Sequence, residues 1–270
     1  LQDAEALDRA AEQLVRAKAA ENVAYLELRW GPHLHTAKGL TQSQVIAAVA
    51  AGARRAAAAT GIEVRLIITA LRSHSLEENR SLATAAVAAQ DLGVVGFDLA
   101  GREAAFPDPL TFKESFDIAR SGGLAITLHA GEWGGAAQVR RALEVQPARI
   151  AHGGVAVDDP SLCTELAARN VSLDLCPTSN TQAAIVAGYG DFPIAELRRR
   201  GVPITLNTDD LVVSDVTLSE EYLHVHRRLG LPVADLIGLA RTGYDFAFAE
   251  QGTKVRLRNA LESWLAQRGM

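Results

Sequence analysis

Cysteine is nearly absent from this 270-residue chain: Cys163 and Cys176 are the only two, thirteen positions apart. They form neither a disulfide framework nor a paired-cysteine metal site. Long apolar runs are missing too. Stretches such as Leu66-Ile67-Ile68 are far too short to span a bilayer, and no signal-peptide pattern opens the chain. There is no basic excess; the formal charge of -5 offers no cationic stripe for phosphates, which argues against nucleic-acid binding. A small neutral or polar partner and a cytoplasmic location are therefore expected, and nothing speaks to oligomeric state. Methionine occurs once, at Met270, so the chain starts at Leu1 without an initiator. Leu7, Ala10, Ala11, Leu14 and Val15 recur at helical spacing, which predicts an amphipathic helix already under way and an N-terminally incomplete chain. No Ser/Gly/Pro-rich linker divides the sequence, so a single domain over 1–270 is expected.

Short β-rich runs alternate with longer helical stretches from Val23 onward, the pattern of βα units around a parallel sheet. The runs predict strands near 23–29, 64–70, 94–99, 124–129, 148–152, 171–175 and 203–207. Thr41 with Gln44, Ser75 with Glu78, and Thr111 with Glu114 read as capping boxes, Pro160 as a first-turn proline, and Gly61, Gly93 and Gly201 as helix stops. Several strands read as nearly continuous apolar runs, as expected when helices cover one face and a barrel interior the other. The expectation is an α/β fold, a TIM-type (β/α)8 barrel without its first strand; a doubly wound open sheet is the alternative.

Chemistry in such barrels collects at the C-terminal ends of the strands. Three runs end there in polar groups: Thr127-Leu128 in His129-Ala130-Gly131-Glu132, Ile150-Ala151 in His152-Gly153, and Leu206-Asn207 in Thr208-Asp209-Asp210. Imidazole and carboxylate are the ligands zinc accepts without thiolates, so the three placements together point to a divalent metal with acid and base groups around it.

Six segments, in order, resemble the adenosine deaminase family. They are Tyr25-Leu26-Glu27-Leu28-Arg29 with Pro32, Asp98-Leu99-Ala100-Gly101 with Glu103, His129-Ala130-Gly131-Glu132, Arg149-Ile150-Ala151-His152-Gly153, Cys176-Pro177 with Ser179-Asn180, and Asn207-Thr208-Asp209-Asp210. The resemblance implies zinc-dependent hydrolytic deamination of adenosine or a related 6-aminopurine nucleoside, releasing ammonia. It makes His129 and Asp209 zinc ligands, Glu132 the acid that protonates the purine ring, and His152 the group that handles the proton of the attacking water. It also makes Asp210 the residue that orients nucleophile and leaving amine, and Gly101 a backbone contact to the base. Attack at the amino-bearing carbon pushes electrons onto ring nitrogen 1, and a glutamic acid serves there only if burial or neighbouring carboxylates hold it protonated. Arg102 stands where many relatives carry an acid, which touches substrate contacts only.

Two ligands fall short of the roughly three that a catalytic zinc takes. The family completes the set with a His-x-His pair on its first barrel strand, which this sequence does not contain, so weak or absent metal and an open seam are expected here. His33 and His35 follow Pro32 in a loop, and His224 and His226 lie two apart on a helix, facing away from each other; none is expected to substitute. His74 reads as a loop or cap residue. Glu27 and Arg29 share a strand face and read as a buried pair, and Asp174 as interior scaffolding. Cys176 reads as accessible at the mouth but without a covalent role; Trp133 either lines the pocket or packs beneath its loop. Adenine, methylthioadenosine and aminodeoxyfutalosine remain alternative substrates, and amide or ester hydrolysis, or metal-deficient purine binding, alternative functions. Cytidine-type zinc deaminases are excluded by the cysteine count.

Overall fold

Alternation of inward and outward side chains on each strand builds the architecture. A computed structural model describes residues 1–270. Seven strands, β1 (Tyr25–Trp30), β2 (Glu63–Leu71), β3 (Val94–Ala100), β4 (Ala125–Ala130), β5 (Arg149–His152), β6 (Ser172–Leu175) and β7 (Ile204–Leu206), form one sheet in sequence order. Every neighbouring pair is parallel. The order never reverses, as it would in a doubly wound sheet. The fold is a TIM-type barrel lacking one strand, with β1 and β7 left as the two edges of an open seam.

Outward positions such as Leu66, Ile68, Phe97, Leu99, Leu128, Ile150, Leu173 and Ile204 join the buried core beneath the helices. The inner face differs from a continuous apolar run. It carries Glu27, Arg29, Thr69, Asp98, Thr127, Arg149, Asp174 and Thr205, a polar column made by every second residue. Cross-strand neighbours satisfy part of it: Thr69 Oγ1 donates to Asp98 at 3.0 Å, and Thr205 Oγ1 to Asp174 at 2.9 Å.

Glu27 does not pair with Arg29. It pairs with Arg149 across the barrel on β5, and also accepts from Tyr25 Oη at 2.9 Å and from the Phe248 amide. Arg149 Nε lies 3.2 Å from Asp174, and its guanidinium stacks 3.8 Å over the Phe248 ring, which closes the barrel floor. Arg29 turns instead toward Asp98, at 3.9 Å. Two residues on one strand face point the same way but do not converge; a partner across a curled sheet can meet them tip to tip. Burial pushes the Asp174 carboxyl up, Arg149 and Arg29 opposing it, while for Glu27 the same burial is outweighed by Arg149.

The helices start largely where the sequence indicates. Thr41 with Gln44 and Ser75 with Glu78 form capping boxes, Asp159 caps the helix opened by Pro160, and left-handed Gly61 ends the helix Gln42–Thr60. Thr111 is not a cap: it lies inside the 3-10 turn Pro109–Phe112, capped by Asp108, and the helix Lys113–Ser121 simply continues from it. Thr217 with Glu220 forms a further box. In the first helix, Ala4–Ala20, Leu7, Ala11, Val15 and the aliphatic stem of Lys18 are buried, while Ala10 faces solvent. No helix is long and apolar enough to cross a membrane.

His33 and His35 take no part in the site described below. His33 is buried edge-on against His74, with ring centroids 4.5 Å apart, and His35 Nδ1 lies 2.8 Å from the Leu1 carbonyl. His226 is exposed and His224 half-buried.

Two measurements check this description. Arg149→Met strands Glu27 and Asp174 in the barrel floor, so urea unfolding is expected to show a loss of about 3–5 kcal/mol; a loss under about 1 kcal/mol contradicts the pairing. Burial and the neighbouring His74 push His33 down from its usual value to about 4. Between pH 6.5 and 4 the unfolded chain therefore binds the proton and the folded one does not, so stability falls as pH drops through that window, by at most about 1.4 kcal/mol per pH unit from this site. His33→Gln should reduce that slope, and an unchanged acid limb would refute the assignment.

Candidate active site

Four strand ends converge at the mouth. His129, near the end of β4, places Nδ1 3.2 Å from Asp98 Oδ1 on β3. Asp98 is fully buried; burial alone would push its carboxyl up, but His129, Arg29 and Thr69 together hold it well below the usual range. An ionised carboxylate only accepts, so the ring proton sits on Nδ1 and Nε2 keeps its lone pair for a cation.

The chain then turns at Gly131, whose φ is 74° and where a Cβ would overlap Val139 and Val155. That turn sets Glu132 Oε2 3.8 Å from His152 Nε2. His152 closes β5 with a left-handed backbone (φ 65°), as does Asp209 beyond β7 (φ 60°). For residues other than glycine this conformation costs about 1–3 kcal/mol, and it clusters at functional sites. Asp209 Oδ2 also lies 3.8 Å from His152 Nε2 and accepts from Ser179 Oγ at 2.7 Å. The rings of His129 and His152 are 5.3 Å apart. His129, Glu132, His152 and Asp209 are thus brought together.

His152 Nδ1 meets Asn180 Oδ1 at 3.3 Å. Nε2 of the same ring faces Glu132 and Asp209, so the two ring nitrogens have distinct surroundings. Burial, then the adjacent His129, keep His152 below its ordinary basicity. For Asp209, burial pushes the carboxyl up, but His152, the Ser179 hydroxyl and His129 outweigh it, so it remains a carboxylate.

Asp210 lies at the exposed edge and caps the turn Leu211–Ser214, accepting through Oδ1 from Val212 at 3.0 Å and Val213 at 3.2 Å. Gly101 follows β3 with φ 108°, beside Arg72. A cleft of about 160 Å³ opens next to Gly131 and Asn180, lined by Val155, Val157, Ile185 and Phe192. A larger polar cavity, about 280 Å³, lies among Thr178, Tyr189, His224 and Arg228 and includes none of the four converging residues.

The donor atoms suit zinc. His152, Cys176 and Asp209 bring ligand atoms within 4.8 Å of one another, and His129 adds an imidazole already held by a carboxylate, the outer-shell arrangement common to metal-bound histidines. Cys176 is buried rather than accessible, and burial with Asp209 beside it pushes the thiol well up. A thiol so held is a poor nucleophile. The sequence motifs contain Asp98, Asn180 and Ser179 without assigning them a task, Cys176 was weighed only as a nucleophile and not as a metal donor, and Arg72 was not singled out. An acid in the middle of a strand otherwise facing helices was the available signal for Asp98. Trp133 is largely exposed, with 58% of its surface open, so it does not pack beneath its loop.

Known proteins similar to this chain are deaminases and an amidohydrolase. The chain is 32% identical over 262 residues to an adenosine deaminase of Enterococcus faecalis, covering 97% of this chain and 77% of that protein. It is 36% identical over 252 residues to an adenine deaminase of Sinorhizobium fredii, covering 93% and 78%. Its fold superposes with TM-score 0.92 on an amidohydrolase from Burkholderia ambifaria solved with bound zinc, at 27% identity, covering 99% of this chain and 75% of that one. The family model described as adenosine deaminase matches residues 1–264, and the chain belongs to the adenosine deaminase family.

Proposed function

We propose that this protein is a zinc-dependent hydrolase that converts the 6-amino group of adenosine, or of a related adenine nucleoside, to a 6-oxo group with release of ammonia. The observation that carries the reading is His152 Nε2, placed 3.8 Å from both Glu132 and Asp209 with the His129 ring alongside. His129 and Asp209 are the residues that would hold zinc. Once there, zinc would lower the pKa of a bound water to about 7.

Every other task falls to side chains of this chain. His152, held at Nδ1 by Asn180, receives the proton of the attacking water at Nε2. Glu132 delivers a proton to ring nitrogen 1 as the carbon becomes tetrahedral. Asp210 uses one oxygen to cap the following turn, and its other oxygen is available to orient the leaving amine, which takes the proton held by His152 and departs as ammonia. The backbone of Gly101, in a glycine-favouring conformation with φ 108°, would contact the edge of the base. The relatives support adenine-type substrates, and the zinc-bound neighbour supports the metal. Adenine itself is the second reading, favoured by the similarity to the Sinorhizobium fredii protein. In this reading residues 1–270 act as one cytoplasmic domain on a small purine and engage neither nucleic acid nor membrane.

The protein loaded with zinc is expected to deaminate at least one of adenosine, 2'-deoxyadenosine and adenine in a spectrophotometric panel with ammonia detection. Glu132→Gln should lower kcat by roughly a hundred- to ten-thousandfold while KM changes little. Zinc-replete protein that releases ammonia from none of the three defeats the reading. Metal analysis separates the donors: His129→Ala should lose zinc and Cys176→Ser should retain it, and the reverse pattern would reassign the site to the thiol.

A further inference from the structure

The segment that carries Glu132 has little to hold it in place. Residues 131–134 lie between the end of β4 and the helix Gly135–Ala142, outside any strand or helix ladder. Its one large side chain, Trp133, points mostly into solvent and anchors nothing. Its backbone amides, however, are nearly all claimed by one group. Glu103 is 1% exposed, and its Oε1 accepts from Gly131 N at 2.7 Å while Oε2 accepts from Trp133 N at 2.8 Å and Gly134 N at 2.9 Å.

A second buried ion ties the same region from the other side. Arg72, also 1% exposed, donates through Nη2 to the His129 carbonyl at 3.0 Å and through Nη1 to the Phe106 carbonyl at 2.8 Å. The first bond holds the strand end just ahead of the turn. The second holds the 101–106 loop that supplies Glu103. Neither ion belongs to the converging group at the mouth. Charge-assisted hydrogen bonds are shorter and stronger than neutral ones, and a carboxylate shared by three amides fixes orientation as well as distance.

We propose that Glu103, braced by Arg72, is a positioning residue that holds the turn 131–134 so that Glu132 meets the substrate ring. The inference rests on the proton-donating role given above to Glu132. The expected consequence is a selective loss of rate. A mutation away from the reacting atoms that misplaces a catalytic group by about 1 Å can cost about a hundredfold, whereas substrate held by other residues binds as before. Glu103→Gln keeps the shape but presents an amide NH2 to one or two of the backbone donors, which leaves them unpaired.

The test uses the full zinc-loaded protein and combines hydrogen exchange with steady-state kinetics. In the parent, the amides of Gly131, Trp133 and Gly134 should exchange slowly despite lying in a turn. In Glu103→Gln they should exchange on the order of tenfold faster, with the remaining barrel amides unchanged. On whichever adenine compound is turned over, kcat should fall roughly ten- to a hundredfold with KM within about threefold and zinc content unaltered. Fast exchange of the three amides in the parent, a variant kcat within about threefold of the parent, or a kcat loss that tracks loss of zinc each overturns the proposal. Should Glu103→Gln fail to fold, Glu103→Asp, which keeps the charge but draws the carboxylate back by one methylene, is read by the same criteria. If no adenine compound is turned over, the functional reading fails while the exchange measurement still decides whether the clamp exists.

Discussion

Buried charges tolerate no vacancy among their partners, and this barrel is arranged around that demand. Its inner face carries Glu27, Arg29, Asp98, Arg149 and Asp174, groups that would each be costly to strip of water alone. The sheet curls so that the tip of Arg149 on β5 reaches Glu27 on β1 and Asp174 on β6, while Arg29 approaches Asp98. From that column upward the polarity continues without a break. Asp98 belongs both to the interior column and to the mouth, where it fixes the tautomer of His129. The interior that stabilises the fold is therefore also the base on which the reactive groups stand.

The mouth adds a different kind of constraint. Two of its members, His152 and Asp209, sit in left-handed backbone conformations, and glycine supplies the turn between His129 and Glu132. Such geometry persists only where the surroundings over-determine it. Here they do: Asn180 holds one side of His152, Ser179 holds Asp209, and two buried ions hold the turn that bears Glu132. The chain bends sharply at three strand ends so that groups from β4, β5 and the loop after β7 face one another.

Much of this was readable in the amino-acid order. Seven β-rich runs, two capping boxes and the stop glycine Gly61 follow from local chemistry, and the structure keeps them with boundary shifts of a residue or two. The convergence of His129, Glu132, His152 and Asp209 followed from their shared place after a strand, a rule of topology rather than of local preference. What sequence could not supply was contact across the sheet. Glu27 and Arg29 look like partners because they are two apart, yet each finds its counter-charge on a distant strand. Thr111 has a capping spacing, but Asp108 and Pro109 start the turn earlier. Cys176 looked open because its motif ends a strand, and only the packing around it shows a sealed thiol.

The Glu27–Arg149 pair joins positions 122 residues apart, and the bond from Phe248 to Glu27 spans 221. Contacts of such separation close late in folding, because the intervening chain must be ordered first. Until then the inner wall of a half-assembled sheet stays hydrated, its ions facing water instead of each other. A partly folded chain of this kind presents a wettable concave surface where an aliphatic barrel interior would present a sticky one, so the ionic column that costs desolvation at the last step also guards the earlier ones against self-association.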